Sequence, residues 1–352
     1  MSLADVFLEI KKFKYMNILK DIRFLKTLVK IFATCIIIFF LVDFNVVNFS
    51  EISNVSSNIS FILYAIIFMI LTIPLASFRW WLLLKSESYN ISYKDTFLLY
   101  YTGLFFNIFM PGSAGGDLTK GYYLFKHVEK KQRSLAIFSI FVDRLIGLHS
   151  MLFLISILGF IIFGKIYINN DLNEIFIIIV LFMIFSVPLT FILINLLNKL
   201  IEIMRNKNQS KTNLLLIKFF QSMKIYSNRK NLIFKCWVIS IFSNLFLLSC
   251  FYLIVISMNI NIFSYIEATF IGGVSMVSNV LPVTPGGIGI GESTFNYLSK
   301  FIYDESEIAF GSIFFVTIRV LFNFVCLIGA ITFILIKEPS SSYKRIRANI
   351  NK

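Results

Sequence analysis

Apolar positions along this chain fall into long unbroken runs, neither alternating as in a half-buried strand nor confined to one stripe as in a surface helix, and charged connectors separate the runs. Six of them, 31–49, 60–84, 134–163, 175–197, 232–258 and 308–336, hold roughly the 20 residues a helix needs to cross a ~30 Å hydrocarbon core. Each is predicted to be a membrane-spanning helix. Two shorter stretches behave differently. The first, 96–110, runs into "MPGSAGGDLTKGYY", where Pro111, Gly112, Gly115 and Gly116 interrupt it; the second, 265–283, runs into "LPVTPGGIGIGES", with Pro285, Gly286, Gly287 and Gly289. The first stretch, 15 residues long, rises only ~22 Å as a helix, so it need not reach the far side.

The charges decide where these two stretches go. Lys85 and Lys94 precede the first, while Lys120, Lys126, Lys130, Lys131 and Arg133 follow it, so both of its flanks belong on the cytoplasmic side. A segment that starts and finishes on one side enters the membrane and turns back. The same reasoning places the second stretch, entered from outside, between 232–258 and 308–336. Of the 33 lysines and arginines, this topology puts 27 on the cytoplasmic side, 2 outside and 4 within spans. The expected fold is an all-α integral membrane protein with about six full transmembrane helices and two re-entrant helical hairpins. Crossing, hairpin, crossing occurs once from each face, an inverted-topology repeat. Repeat A covers about 60–163 and repeat B about 232–336, within a polytopic domain spanning 31–337. Residues 1–30 read as a cationic amphipathic segment on the cytoplasmic surface and 338–352 as a basic cytoplasmic tail.

Composition agrees and excludes several classes. Hydrophobic residues make up 57% of the 352, and mean hydropathy is +0.80. The net charge of +14 lies beside the spans, where it orients the chain, so no nucleic-acid partner is expected. Cys35, Cys236, Cys250 and Cys326 each sit inside an apolar run with no metal-ligand spacing. The only histidines are His127 and His149, and His149 is expected as a packed or hydrogen-bonded core residue. No metal and no cofactor is expected. Gly287, Gly289 and Gly291 follow no strand, and the Gly116–Gly121 spacing continues with Tyr122 instead of a lysine, so neither glycine run is a nucleotide motif.

Candidate chemistry lies in the charges that the spans cannot hide. Arg144 and Arg319 are lone basic residues ~15 Å deep in their crossings, each following its Pro-Gly break by a similar distance. A charge at the bilayer centre costs ~2.5–3.5 kcal/mol on insertion scales. Either Asp143, Asp117 or Glu292 holds these arginines as packing elements, or they line a hydrated cavity and meet an anionic substrate. Asp117 and Glu292 open the helices that follow the breaks and are candidate proton carriers, at helix ends whose amides favour anions. Arg79 lies near the cytoplasmic end of its crossing, either an anchor beside Trp80 and Trp81 or a headgroup contact. Lys120 stands one turn after Asp117, either its i,i+3 partner or a further substrate contact. The substrate-binding set is therefore Arg79, Lys120, Arg144 and Arg319, with no catalytic residue assigned.

Arg79-Trp80, the run Pro111-Gly112 through Gly115-Gly116-Asp117 with Lys120 and Tyr122, Asp143-Arg144 with Gly147, and Pro282, Pro285-Gly286-Gly287, Gly289 and Glu292 together resemble the transmembrane region of lysylphosphatidylglycerol synthase and its stand-alone, flippase-like relatives. The resemblance runs over about 60–337. In that family a basic residue usually precedes the last acidic one; here Gly291 takes that place. The resemblance implies movement of phospholipids, aminoacylated lipids or polyprenyl-phosphate lipids between leaflets of the cell (inner) membrane. No segment is left for the soluble aminoacyl-transfer domain of the fused members. The expectation is a translocating module with both termini cytoplasmic. The competing readings are a membrane glycosyltransferase using polyprenyl-phosphate donors and an accessory subunit of a lipid or glycan pathway. Against the enzyme, the external acids Glu51, Asp171, Glu174, Asp304, Glu305 and Glu307 form no D-x-D.

Overall fold

The structure, a computed structural model, describes residues 58–87, 91–108, 114–128, 133–163, 226, 229–258, 263–280, 289–302 and 311–335. The expected crossings 31–49 and 175–197, the segments 1–30 and 338–352, and the turn residues Pro111, Gly112, Pro285, Gly286 and Gly287 lie outside them. The described residues form eight helices: α1 (Ile59–Ser86), α2 (Tyr93–Asn107), α3 (Ala114–His127), α4 (Arg133–Phe163), α5 (Lys230–Ser257), α6 (Tyr265–Ser278), α7 (Ile290–Ile302) and α8 (Gly311–Leu335). There is no strand among them. Long runs of Leu, Ile and Phe with few charges make α1, α4, α5 and α8 long and apolar enough to cross a membrane. The other four have only 13 to 15 residues, about 20–23 Å.

Local sequence sets the helix ends in matching ways. Ser92 caps α2 by accepting from Asp95 N, and Ser264 caps α6 in a full capping box with Glu267. Both short helices therefore open on serine with an acid as third residue. Ahead of α7, Gly289 takes φ +93°, and its N–H donates to Glu292 Oε2 at 2.9 Å. A side chain at that backbone angle would be strained, which is why the chain uses glycine to enter this helix.

Packing has a two-part order. α1 and α5, both 28 residues, lie antiparallel: Cys250 Sγ donates to the Ala65 carbonyl, Ser243 Oγ to Thr72 and Cys236 Sγ to Arg79. Thr72 and Ser243 are each the fourteenth residue of their helix. Ala65 and Cys236 are each the seventh, and Arg79 and Cys250 each the twenty-first. The contacts are thus exchanged by a local two-fold through Thr72 and Ser243, with small side chains letting the backbones approach.

The remaining helices obey the same exchange. α2 packs on α8 as α6 packs on α4, α2 on α3 as α6 on α7, and α3 on α4 as α7 on α8. Each half therefore contributes a long helix, a pair of short ones and a second long helix, with the first short helix lodged against the last helix of the other half and the second against that of its own. The largest apolar cluster lies around Phe251, Phe295, Phe314 and Phe315 and reaches Ala65 and Met69 of α1. Two smaller clusters surround Trp80 and Phe138.

Candidate functional site

In each half, the start of the second short helix is tied to the middle of the long helix that follows. Asp117, in the first turn of α3, receives Arg144 of α4: Nε at 3.0 Å from Oδ2 and Nη2 at 3.1 Å from Oδ1. Glu292, in the first turn of α7, receives Arg319 of α8, with Nη1 at 3.0 Å from Oε1 and Nη2 at 3.1 Å from Oε2. The first is a two-point hydrogen bond, the strong form of an arginine–carboxylate pair; in the second Nη2 donates while Nη1 sits at ion-pair distance. The first pair is the more open, with side-chain exposures of 40% and 33% against 15% and 12% in the second.

An asparagine completes each arrangement. Asn279, just past α6, accepts from Arg319 Nη2 at 3.1 Å, whereas Asn107, the last residue of α2, accepts from Gly116 N at 2.6 Å. Gly116 is forced by proximity. A Cβ there would come within 2.6 Å of the Gly103 carbonyl and 2.5 Å of Asn107 Oδ1, so only glycine lets the two short helices of the first half meet at this depth.

Arg79 departs from the anchor reading, one of the two the sequence allowed. It is not an interfacial anchor but a buried group, 6% exposed, whose Nε donates to Asp143 Oδ1 at 2.6 Å and whose Nη1 donates to Ser240 Oγ at 2.5 Å. Gly147 leaves room for its guanidinium. Asp143 therefore does not hold its neighbour Arg144, because adjacent helical residues point about 100° apart and face different partners. Trp80 is fully buried and donates to Ser139 Oγ, so it belongs to no interfacial belt.

Lys120 also departs from the simple i,i+3 pairing, since Arg144 takes Asp117. Its ammonium lies 3.9 Å from the centroid of the Tyr100 ring and 5.1 Å from that of Trp80, a cation–π seat, and the residue is 4% exposed. His149 is the hydrogen-bonded core residue expected: its Nδ1 accepts from Trp237 Nε1 at 3.1 Å. Cys236, Cys250 and Cys326 are buried free thiols.

The structure thus brings together four of the charged candidates, Arg79, Lys120, Arg144 and Asp117, in the first half and the pair Arg319 and Glu292 in the second. Gly115 and Gly116 are buried at the start of α3, and Gly289 is exposed ahead of α7. The reading from sequence missed Asp143 as partner of Arg79, and also Ser240, Tyr100 and the two asparagines. The asparagines had a usable signal, a polar residue where each short apolar run ends shortly before its proline. Nothing local marked Ser240, which reaches Arg79 from a helix 161 positions away.

Described residues that are helical throughout, with long apolar spans and ion pairs held among them, are those of a membrane protein. It belongs to the lysylphosphatidylglycerol synthase transmembrane-region family, whose match covers residues 27–336. It is similar to the UPF0104 membrane protein MJ1595 of Methanocaldococcus jannaschii, with 26% identity over 250 residues, 68% of this chain and 74% of that one. No solved structure matches it.

Proposed function

We propose that this protein moves a lipid with a polar or anionic headgroup between the two leaflets, without covalent chemistry on it. The observation that carries the reading is the repeated pair, Arg144 with Asp117 and Arg319 with Glu292. Each joins the start of a short helix to a long one, in halves whose leading helices run antiparallel. In the full topology the spans 31–49 and 175–197 bring the crossings to six, and α2–α3 and α6–α7 are re-entrant hairpins entering from opposite faces of the cell membrane, with both termini cytoplasmic. The headgroup leaves water for the space beside the hairpins while its acyl chains stay in the bilayer. Each arginine then exchanges its carboxylate for the headgroup, and Asp117 or Glu292 takes up a proton when released into a low dielectric. Rocking of one half against the other opens the site to the second leaflet. Membership of a family defined by a lipid synthase's membrane region supports a lipid as the cargo.

The test is reconstitution in liposomes carrying a fluorescent phosphatidylglycerol, with the leaflet-accessible fraction followed over time in the absence of nucleotide. Transport above that of empty liposomes is expected, with at least a tenfold loss in Arg144→Gln and in Arg319→Gln. Full rates in both variants, purified monodisperse, would confine the arginines to packing and overturn the reading.

A further inference from the structure

The two halves share their skeleton but not their charge. Among the described residues, the interior of the second half holds one arginine and one carboxylate, Arg319 and Glu292, which balance. The first half holds Arg79, Lys120 and Arg144 against Asp117 and Asp143, all within electrostatic reach of Lys120, so it carries one positive charge in excess. The excess sits on Lys120. Asp143 is engaged by Arg79 and Asp117 by Arg144, and Lys120 makes no hydrogen bond and no ion pair among the described residues, resting only on the faces of Tyr100 and Trp80.

A lysine that is 4% exposed, in a segment read as lying within a membrane, has no reason to remain there as packing. The equivalent position, three residues after Glu292, is Phe295, fully buried and stacked on Phe251 at 5.8 Å between centroids. In the second half the equivalent place is thus filled by an apolar side chain. The lysine stem runs back along α3 toward its start, where its Cε comes close to Gly103 opposite Gly116. Its Cε thus lies beside the first turn of α3, and its ammonium is within electrostatic reach of Arg144, the half-exposed member of the cluster.

We infer that Lys120 and Arg144 form a single anion site in the first half, built for one phosphate-type group carrying one net negative charge. Among the described residues the second half has no such site. A singly charged phosphodiester neutralises the excess, whereas a zwitterionic headgroup brings a positive charge that the cluster repels. The aromatic faces hold the ammonium in place while the site is empty, and the bound anion draws it toward Arg144 and off Trp80. The inference rests on the transport reading above for what the bound headgroup does next.

The experiment uses the purified full-length chain in an uncharged detergent, with tryptophan emission and the thermal midpoint as readouts. Dihexanoyl phosphatidylglycerol, dihexanoyl phosphatidylcholine and inorganic phosphate are titrated separately. The phosphatidylglycerol is expected to change the emission saturably and to bind at least tenfold tighter than the phosphatidylcholine. In the unmodified chain, equal affinity for the two lipids overturns the inference. Lys120→Gln should lose at least tenfold in phosphatidylglycerol affinity while melting no lower than the parent without ligand, because an uncompensated buried charge has been removed. The exposed Lys300→Gln should bind as the parent does. Unchanged affinity in Lys120→Gln overturns the site. Phosphatidylglycerol binding tighter than inorganic phosphate assigns the site to a lipid headgroup, and the reverse order assigns it to free phosphate. Lys120-dependent binding with no transport in liposomes sinks the transport reading and leaves the site. Full transport by Lys120→Gln does the opposite.

Discussion

At equivalent places the two halves of this protein carry opposite chemistry. The twenty-first residue of α1 is Arg79 and that of α5 is Cys250; the residues after them are Trp80 and Phe251. Three positions beyond the helix-starting acid stands Lys120 in one half and Phe295 in the other. Before the deep arginine stands Asp143 in one and Ile318 in the other. Even the eighth residue of the first short helix follows suit: Tyr100 faces the lysine, while Gly272 leaves space into which Phe251 packs. Arg79, Lys120 and Asp143, the buried charges peculiar to the first half, each have an apolar or small counterpart. What the halves retain in common is the arginine, its carboxylate and the asparagine. The comparison separates a shared frame, needed by both halves, from a polar cluster that only one of them bears.

The largest expected effect comes from unbalancing that cluster. Asp143→Leu leaves Arg79 buried without a charge partner and is expected to cost about 3–5 kcal/mol, read as loss of monodisperse protein or a steep fall in thermal midpoint. Adding Arg79→Met imitates the second half's Cys250 and Ile318 and is expected to restore most of the stability. If the double variant stays as unstable as the single one, the two halves are not interchangeable frames.

Crowding the hairpin crossing comes next. Gly116→Ala drives a methyl against the Gly103 carbonyl and Asn107 and is expected to cost about 1–3 kcal/mol. In the same helix Gly121→Ala meets open space and should gain ~0.5–1 kcal/mol. Equal melting temperatures for the two would mean that the short helices of the first half do not touch at Gly103 and Gly116.

A smaller contrast separates the arginines. Replacing either by lysine keeps the charge but loses the two-point grip on its carboxylate. Arg319→Lys also forfeits the Asn279 contact, so it is expected to slow transport several-fold more than Arg144→Lys, in the same liposome assay. The reverse order would place the more demanding geometry in the first half.

The weakest effect is expected at the end of the α1–α5 pair. Glu87, capping α1, meets Arg229, capping α5, at 3.0 Å; at the opposite end the equivalent caps are Asn58 and Met258, which carry no charge. Burial pushes the Glu87 carboxyl above its ordinary value, with Arg229 pulling the other way. A carboxyl whose folded pKa is raised favours the fold below its unfolded pKa, and that contribution is lost as pH rises through the folded value. Glu87→Gln should therefore flatten the fall in thermal midpoint between mildly acidic and neutral pH, by less than ~1 kcal/mol. A steeper fall in the variant would reverse that sign.

Much of this architecture was legible along the chain. Runs of apolar residues located α1, α4, α5 and α8 to within a few residues, and proline and glycine marked where α2 and α6 end. The pairing of Arg144 and Arg319 with nearby acids was among the alternatives, because a charge in a hydrocarbon interior needs a partner and few were within reach. Arg79 misled for the same local reason. Counting residues to the end of its helix gives its height along the axis, but not the direction it faces.

Sequence by itself determined that this is a helical membrane chain, how long its helices are, where they break and which charges must be compensated. These follow from hydrogen-bond satisfaction and transfer free energy, which act residue by residue. Only the tertiary structure decided that Asp143 serves Arg79 and not Arg144, that Lys120 lies on Tyr100 and Trp80, and that Thr72 and Ser243 meet where the two halves exchange. Those depend on how each helix is rotated about its own axis and which neighbour it meets. A helix that is apolar all round carries almost no periodic signal of that rotation, so it is settled by side-chain fit between segments some 170 residues apart.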